Sequence, residues 1–112
     1  MKKIFFVFAV LFLLGSAAPM GYAQGVPNWL PGSYYTYDGY SRTDCYLRVT
    51  RDGGATLNIS QNGSFIRRKS GRYYPNNRMI LSGEHYTIYR NGNGVTLNYV
   101  SGNHRSWAFR RQ

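Results

Sequence analysis

The sequence predicts an all-β fold, a small antiparallel meander barrel or sandwich of about eight short strands. Turn-forming residues recur at short spacing: Asp52-Gly53-Gly54, Asn62-Gly63, Asn76-Asn77, Ser82-Gly83, Asn91-Gly92-Asn93-Gly94 and Ser101-Gly102-Asn103. Such residues tolerate the positive backbone angles that tight hairpins require. Between them the chain alternates with period two. Ala55, Leu57 and Ile59 share one face and Thr56, Asn58 and Ser60 the other, and Val95, Leu97 and Tyr99 repeat the pattern. Beyond residue 23 no window carries a helical period.

The first element is not part of that fold. Met1-Lys2-Lys3 is a basic start, Ile4–Leu14 is an uninterrupted apolar run, and Gly21-Tyr22-Ala23 offers small residues where a signal peptidase reads. Residues 1–23 thus have the three-part pattern of a secretory signal peptide with cleavage after Ala23, and the apolar run is too short to span a bilayer. The expected destination is the periplasm or the extracellular medium. Residues 24–31, with Pro27 and Pro31, read as a leader covering one end of the barrel. Residues 32–112 form the single β domain, with strands expected at 33–37, 45–50, 55–60, 64–70, 72–74, 78–81, 85–90, 95–100 and 105–110.

An internal repeat is visible. Gly32-Ser33-Tyr34-Tyr35 matches Gly71-Arg72-Tyr73-Tyr74, and Gly54-Ala55-Thr56-Leu57-Asn58-Ile59 matches Gly94-Val95-Thr96-Leu97-Asn98-Tyr99 at an offset of 40. Tyr46 matches Tyr86 at the same offset. The matches divide the domain into halves at 32–70 and 71–111.

Charge narrows the partners. The net charge is +10, falling to about +8 without Lys2 and Lys3, and the only acids are Asp38, Asp44, Asp52 and Glu84. Beyond the leader every basic residue is Arg except Lys69. Arg presents a planar fork that grips phosphate, sulfate or carboxylate and stacks on aromatic faces. The balance favours an anionic partner, with a merely solubilising charge as the competing reading, and argues against strongly basic targets. Cys45 is the single cysteine, so no internal disulfide can form. Its alternation with Leu47 and Val49 reads as a buried core thiol in preference to an intermolecular disulfide.

The segment Trp29-Leu30-Pro31-Gly32-Ser33-Tyr34 resembles, in general shape, the Gly-x-aromatic opening of small ligand-binding barrels such as lipocalins and avidins, with Tyr where those families usually have Trp. The resemblance implies a basic residue on the last strand covering the aromatic ring, a role open to Arg110 or Arg111. It concerns fold and carries no functional assignment.

Arg67-Arg68-Lys69, followed by Arg72, is the densest cationic cluster, with Phe65 before it and Tyr73-Tyr74 after it. Interleaved cations and aromatics suit an anionic ligand offering rings to stack on, which makes Arg67, Arg68, Lys69, Arg72, Tyr73 and Tyr74 the candidate site. The same residues also suit an edge strand charged against aggregation. Catalytic groups are scarce: Glu84, Arg90 and His104 follow the order found in small secreted ribonucleases, without the surrounding motifs. One Cys and two distant His match no metal spacing, and no cofactor is expected. The sequence therefore reads as an exported, non-catalytic domain binding an anionic partner: envelope phosphate, acidic polysaccharide, nucleic acid or an acidic protein. The alternatives are a protein-interaction or inhibitor module of the cell envelope and, behind it, a ribonuclease-like phosphodiesterase.

Overall fold

The computed structural model describes residues 25–100 and 105–112. The expected signal peptide, Gln24 at the head of the leader, and His104 lie outside the described residues. Eight strands, β1 Gly32–Asp38, β2 Thr43–Val49, β3 Gly54–Gln61, β4 Ser64–Tyr74, β5 Arg78–Leu81, β6 Glu84–Asn91, β7 Gly94–Tyr99 and β8 Ser106–Arg111, follow one another as an antiparallel meander. The meander closes on itself: Tyr34 and Tyr35 of β1 pair with Arg111 and Arg110 of β8. Closure selects the barrel over the sandwich and gives every strand a partner on both sides over at least part of its length.

Alternation fills the interior as the sequence requires. Cys45, Leu47 and Val49 of β2, Ala55 and Leu57 of β3, Met79 and Leu81 of β5, Tyr86 and Ile88 of β6, and Val95 and Leu97 of β7 are all buried. One end of the barrel is sealed by the segment preceding β1, where Leu30 is fully buried and Val26 and Trp29 pack against the core. Tyr34 stands inside this end, and its hydroxyl donates to the Leu30 carbonyl.

Arg111 locks the seal. Its guanidinium lies 4.9 Å from the centre of the Tyr34 ring and donates to the Pro31 carbonyl at 3.1 Å, the Trp29 carbonyl at 2.6 Å and the Tyr34 hydroxyl at 2.9 Å. The register Tyr34↔Arg111 puts both side chains on one face of the closing pair. Gly32 makes room for the fork, since a Cβ there would sit 2.3 Å from Arg111 Nη1. Arg110, one residue earlier, lies outside the barrel over Tyr35 at 5.7 Å.

The segments expected at 64–70 and 72–74 are one continuous strand, so there are eight strands and not nine. Gly71 is a crossing point, not a turn. β4 pairs with β3 up to Arg72, and β5 pairs only with Gly71–Tyr74. At Gly71 the backbone of Ile80 comes so close that an added Cβ would lie 1.7 Å from its carbonyl oxygen. The first part of β4, Ser64–Lys69, consequently has a strand neighbour on one side only among the described residues.

Among the residues matched by the repeat, Leu57 and Leu97 both face inward and are buried, as are Tyr34 and Tyr73. Tyr46 is 40% exposed, whereas Tyr86 is buried, so that matched pair occupies opposite faces of the wall.

Candidate functional site

Opposite the sealed end the barrel holds a cavity of about 350 Å³. Its floor is apolar, formed by Cys45, Leu57, Leu97 and Phe109, all buried. Ile59, Ile66, Tyr99 and Trp107 continue the wall upward. A bulge places Ile66 there: Ile59 pairs with Arg67 but Ser60 with Phe65, leaving Ile66 as the extra residue on β4.

Five charged residues line the upper wall: Asp38, Arg67, Lys69, Glu84 and Arg105. Both carboxylates are engaged. Glu84 accepts from Lys69 Nζ at 2.6 Å and from the Tyr86 hydroxyl at 3.0 Å. Asp38 accepts from Arg105, from Trp107 Nε1 at 3.0 Å and from the Tyr40 amide at 3.0 Å. The Arg105 guanidinium is further held 4.9 Å from the Tyr40 ring and 4.8 Å from the Trp107 ring. Arg67 is exposed and has no hydrogen bond or ion pair among the described residues, so the surplus positive charge of the rim resides there.

These partners set the protonation states. Burial raises the Asp38 carboxyl, but hydrogen bonds from the Trp107 indole and from Tyr40 and Ser41 outweigh it and hold the group at about 2. The Lys69 hydrogen bond keeps Glu84 below its ordinary range against the opposing effect of burial. Burial and the neighbouring Glu84 charge push the Tyr86 phenol up, so it stays a neutral donor. Burial likewise raises the Cys45 thiol, which faces the cavity floor uncharged.

A carboxyl depressed by folding stabilises the native state above its unfolded pKa, and that contribution disappears as pH falls through the folded value. For Asp38 the window runs from about 4 down to about 2. The thermal midpoint of the native protein should fall across this window. Asp38→Asn should lower it at neutral pH, by a loss of about 1–3 kcal/mol, and make it less acid-sensitive. Thermal melts of both proteins from pH 7 to pH 2 provide the check.

The sequence-predicted residues divide between two surfaces and two ends. Arg67 and Lys69 face the cavity. Arg68 lies outside, donating to Asn58 Oδ1 at 2.8 Å, and Arg72 is near the sealed end, donating to the Asp52 carbonyl at 2.7 Å. Tyr73 is buried, and its hydroxyl accepts from the Asn77 amide at 3.1 Å. Tyr74 is half-buried at the last position of β4. Strand alternation thus prevents the six from forming one edge. Asp38, Tyr86, Tyr99, Arg105, Trp107 and Phe109 were not singled out from sequence. Alternation of Arg105, Trp107 and Phe109 along the last strand signalled a shared face, but only closure brings that face to β4.

Glu84 and Arg90 stand at opposite ends of β6, about 20 Å apart at the rise of an extended strand. His85 follows Glu84 on the exposed side of the wall. Among the described residues no group of three or more His, Cys, Asp or Glu could hold a metal ion. No protein-family model, curated protein or solved structure matches this chain.

Proposed function

We propose that the protein is an exported, non-catalytic binding barrel that takes a small, largely apolar anion into its cavity, with the acidic group at Arg67 and the apolar body over Leu57, Leu97, Phe109 and Trp107. The carrying observation is the pairing of an apolar floor with a rim whose two carboxylates are already satisfied. A cavity of about 350 Å³ lies at the small end of the range typical of ligand pockets. Burial of apolar surface supplies the affinity, while a charge-assisted contact to Arg67 selects the acid over its neutral analogue. The anionic partner expected from composition thereby becomes a small molecule that enters the barrel. The signal-peptide pattern of residues 1–23 supports a place outside the cytoplasm.

The test uses two probes that share a ring system, anilinonaphthalene sulfonate and uncharged phenylnaphthylamine. Both should bind the native protein with quenching of Trp107 emission, the sulfonate more tightly. Arg67→Gln should weaken the sulfonate about tenfold, equivalent to about 1.4 kcal/mol, and leave the neutral probe nearly unchanged. Leu57→Trp, which fills the floor, should weaken both. Equal affinities in Arg67→Gln and the parent would refute the role of Arg67. Indifference of both probes to Leu57→Trp would refute the cavity itself.

A further inference from the structure

The exposed side of β4 offers a second kind of binding, along an edge that shares Ile66, Arg67 and Lys69 with the cavity wall. β5 covers only Gly71–Tyr74, which leaves Ser64–Lys69 paired with β3 alone among the described residues. The direction of the free backbone groups follows from Ser70. Its carbonyl accepts from the Ser82 amide at 2.8 Å and its amide donates to Ser82 Oγ at 3.2 Å, both on the side away from β3. In an antiparallel strand the amide and carbonyl of a residue point the same way, and alternate residues point alike. The amide and carbonyl of Arg68 are therefore directed outward along the open edge.

The side chains along this edge are Phe65 and Ile66, 61% and 47% exposed, followed by Arg67, Arg68 and Lys69. Arg67 and Arg68 lie on opposite faces of the strand, and the Arg68 guanidinium is steadied by Asn58 and by the Phe65 ring at 5.7 Å. A second copy of this protein is a poor occupant, because like charges placed opposite one another across a strand pair are destabilising. An extended acidic segment is complementary on every count: backbone groups meet the Arg68 amide and carbonyl, apolar side chains cover Phe65 and Ile66, and successive carboxylates meet Arg67 on one face and Arg68 on the other.

We propose that the Ser64–Lys69 edge of β4 is a docking site for an extended acidic peptide segment of another protein, which adds to the barrel as a strand beside β4. Main-chain hydrogen bonds supply affinity in this mode of recognition, and the alternating side chains supply specificity. The cations that keep β4 from pairing with itself are the same groups that admit an oppositely charged strand.

The experiment uses the whole exported domain and a synthetic peptide of repeating Glu-Glu-Val-Val, which presents carboxylates and apolar side chains on both faces of an extended strand. Binding by fluorescence anisotropy should weaken with salt, and hydrogen exchange at the Arg68 amide should slow in the complex. A peptide with one backbone nitrogen methylated on its pairing side should lose at least tenfold in affinity against the unmodified protein. Arg68→Pro removes the outward amide at a position where an edge strand admits proline, so it should keep the thermal midpoint and lose binding at least tenfold. Arg68→Gln should lose less, since its backbone is intact. Binding that ignores peptide methylation and leaves the Arg68 amide unprotected would overturn the proposal and reduce the edge to a general polyanion surface. Tighter, equally salt-dependent binding of a single-stranded oligonucleotide that also leaves that amide unprotected would overturn it in favour of nucleic acid. Absence of peptide binding would leave these charges as protection against aggregation alone and would overturn it as well.

Discussion

Gly71→Ala should unfold the barrel or destabilise it by about 3 kcal/mol or more, the range reserved for disruptions of a core or a ladder. The added Cβ would sit 1.7 Å from the Ile80 carbonyl oxygen, 2.8 Å from its carbon and 3.1 Å from Leu81 Cα, all of them backbone atoms. No rotamer change can relieve that overlap. Relief requires moving β5, whose Met79 and Leu81 are fully buried. The conformational freedom of glycine is not the issue, as Gly39→Ala shows by contrast: no atom lies within 4 Å of its Cβ position and its backbone angle is ordinary, so its midpoint should stay within about 0.5 kcal/mol of the parent. Chemical denaturation of the two variants compares them. A Gly71→Ala protein as stable as Gly39→Ala would mean that β4 does not cross from β3 to β5 at this residue.

The second large effect is expected at the sealed end. Arg111→Ala removes the fork that ties Pro31, Trp29 and the Tyr34 hydroxyl together, together with a further bond to the Asn93 carbonyl at 3.2 Å. Hydrogen bonds from a charged group contribute about 1.5–3 kcal/mol each when isolated, but these share one side chain and the variant admits water to the carbonyls. A net loss of about 2–4 kcal/mol is expected, large against the stability of a domain this size. Arg111→Lys should recover only part of it, because an ammonium has three donors and no planar fork, and cannot serve four acceptors while covering a ring. Tyr34→Phe should cost less than Arg111→Ala, since it keeps the ring beneath the guanidinium. Thermal midpoints of the three variants rank the contributions. If Arg111→Ala melts with the parent, the packing of Leu30, Val26 and Trp29 and the Tyr34 hydroxyl hold this segment without the guanidinium.

Much of the architecture was written in the local pattern. Hairpin residues placed the turns from β2 through β7, though not the one between β1 and β2, and alternation identified the inward faces of β2, β3 and β7, including Cys45 among the buried residues. Those signals are local, since a turn depends on adjacent backbone angles and a face on a period of two. The Gly32-Ser33-Tyr34 opening also pointed to a cation from the last strand, and Arg111 occupies that position. Gly71 misled because its signal is ambiguous: a glycine in a strand marks either an end or a close approach, and only the neighbouring strand distinguishes them.

The site was less legible. Arg67, Arg68 and Lys69 are adjacent in sequence, which concentrates charge, but a strand sends neighbours to opposite faces. The chain alone therefore determined an all-β domain, the turns from β2 through β7, its buried stripes and its cationic balance. Closure of β1 on β8 decided the rest: it carried Arg105, Trp107 and Phe109 round to face Leu57 and Lys69, it set Arg111 over Tyr34, and the shortness of β5 left half of β4 open. These are pairings between residues far apart in the chain, fixed by register and barrel geometry, and no local propensity encodes which strand a given edge will meet.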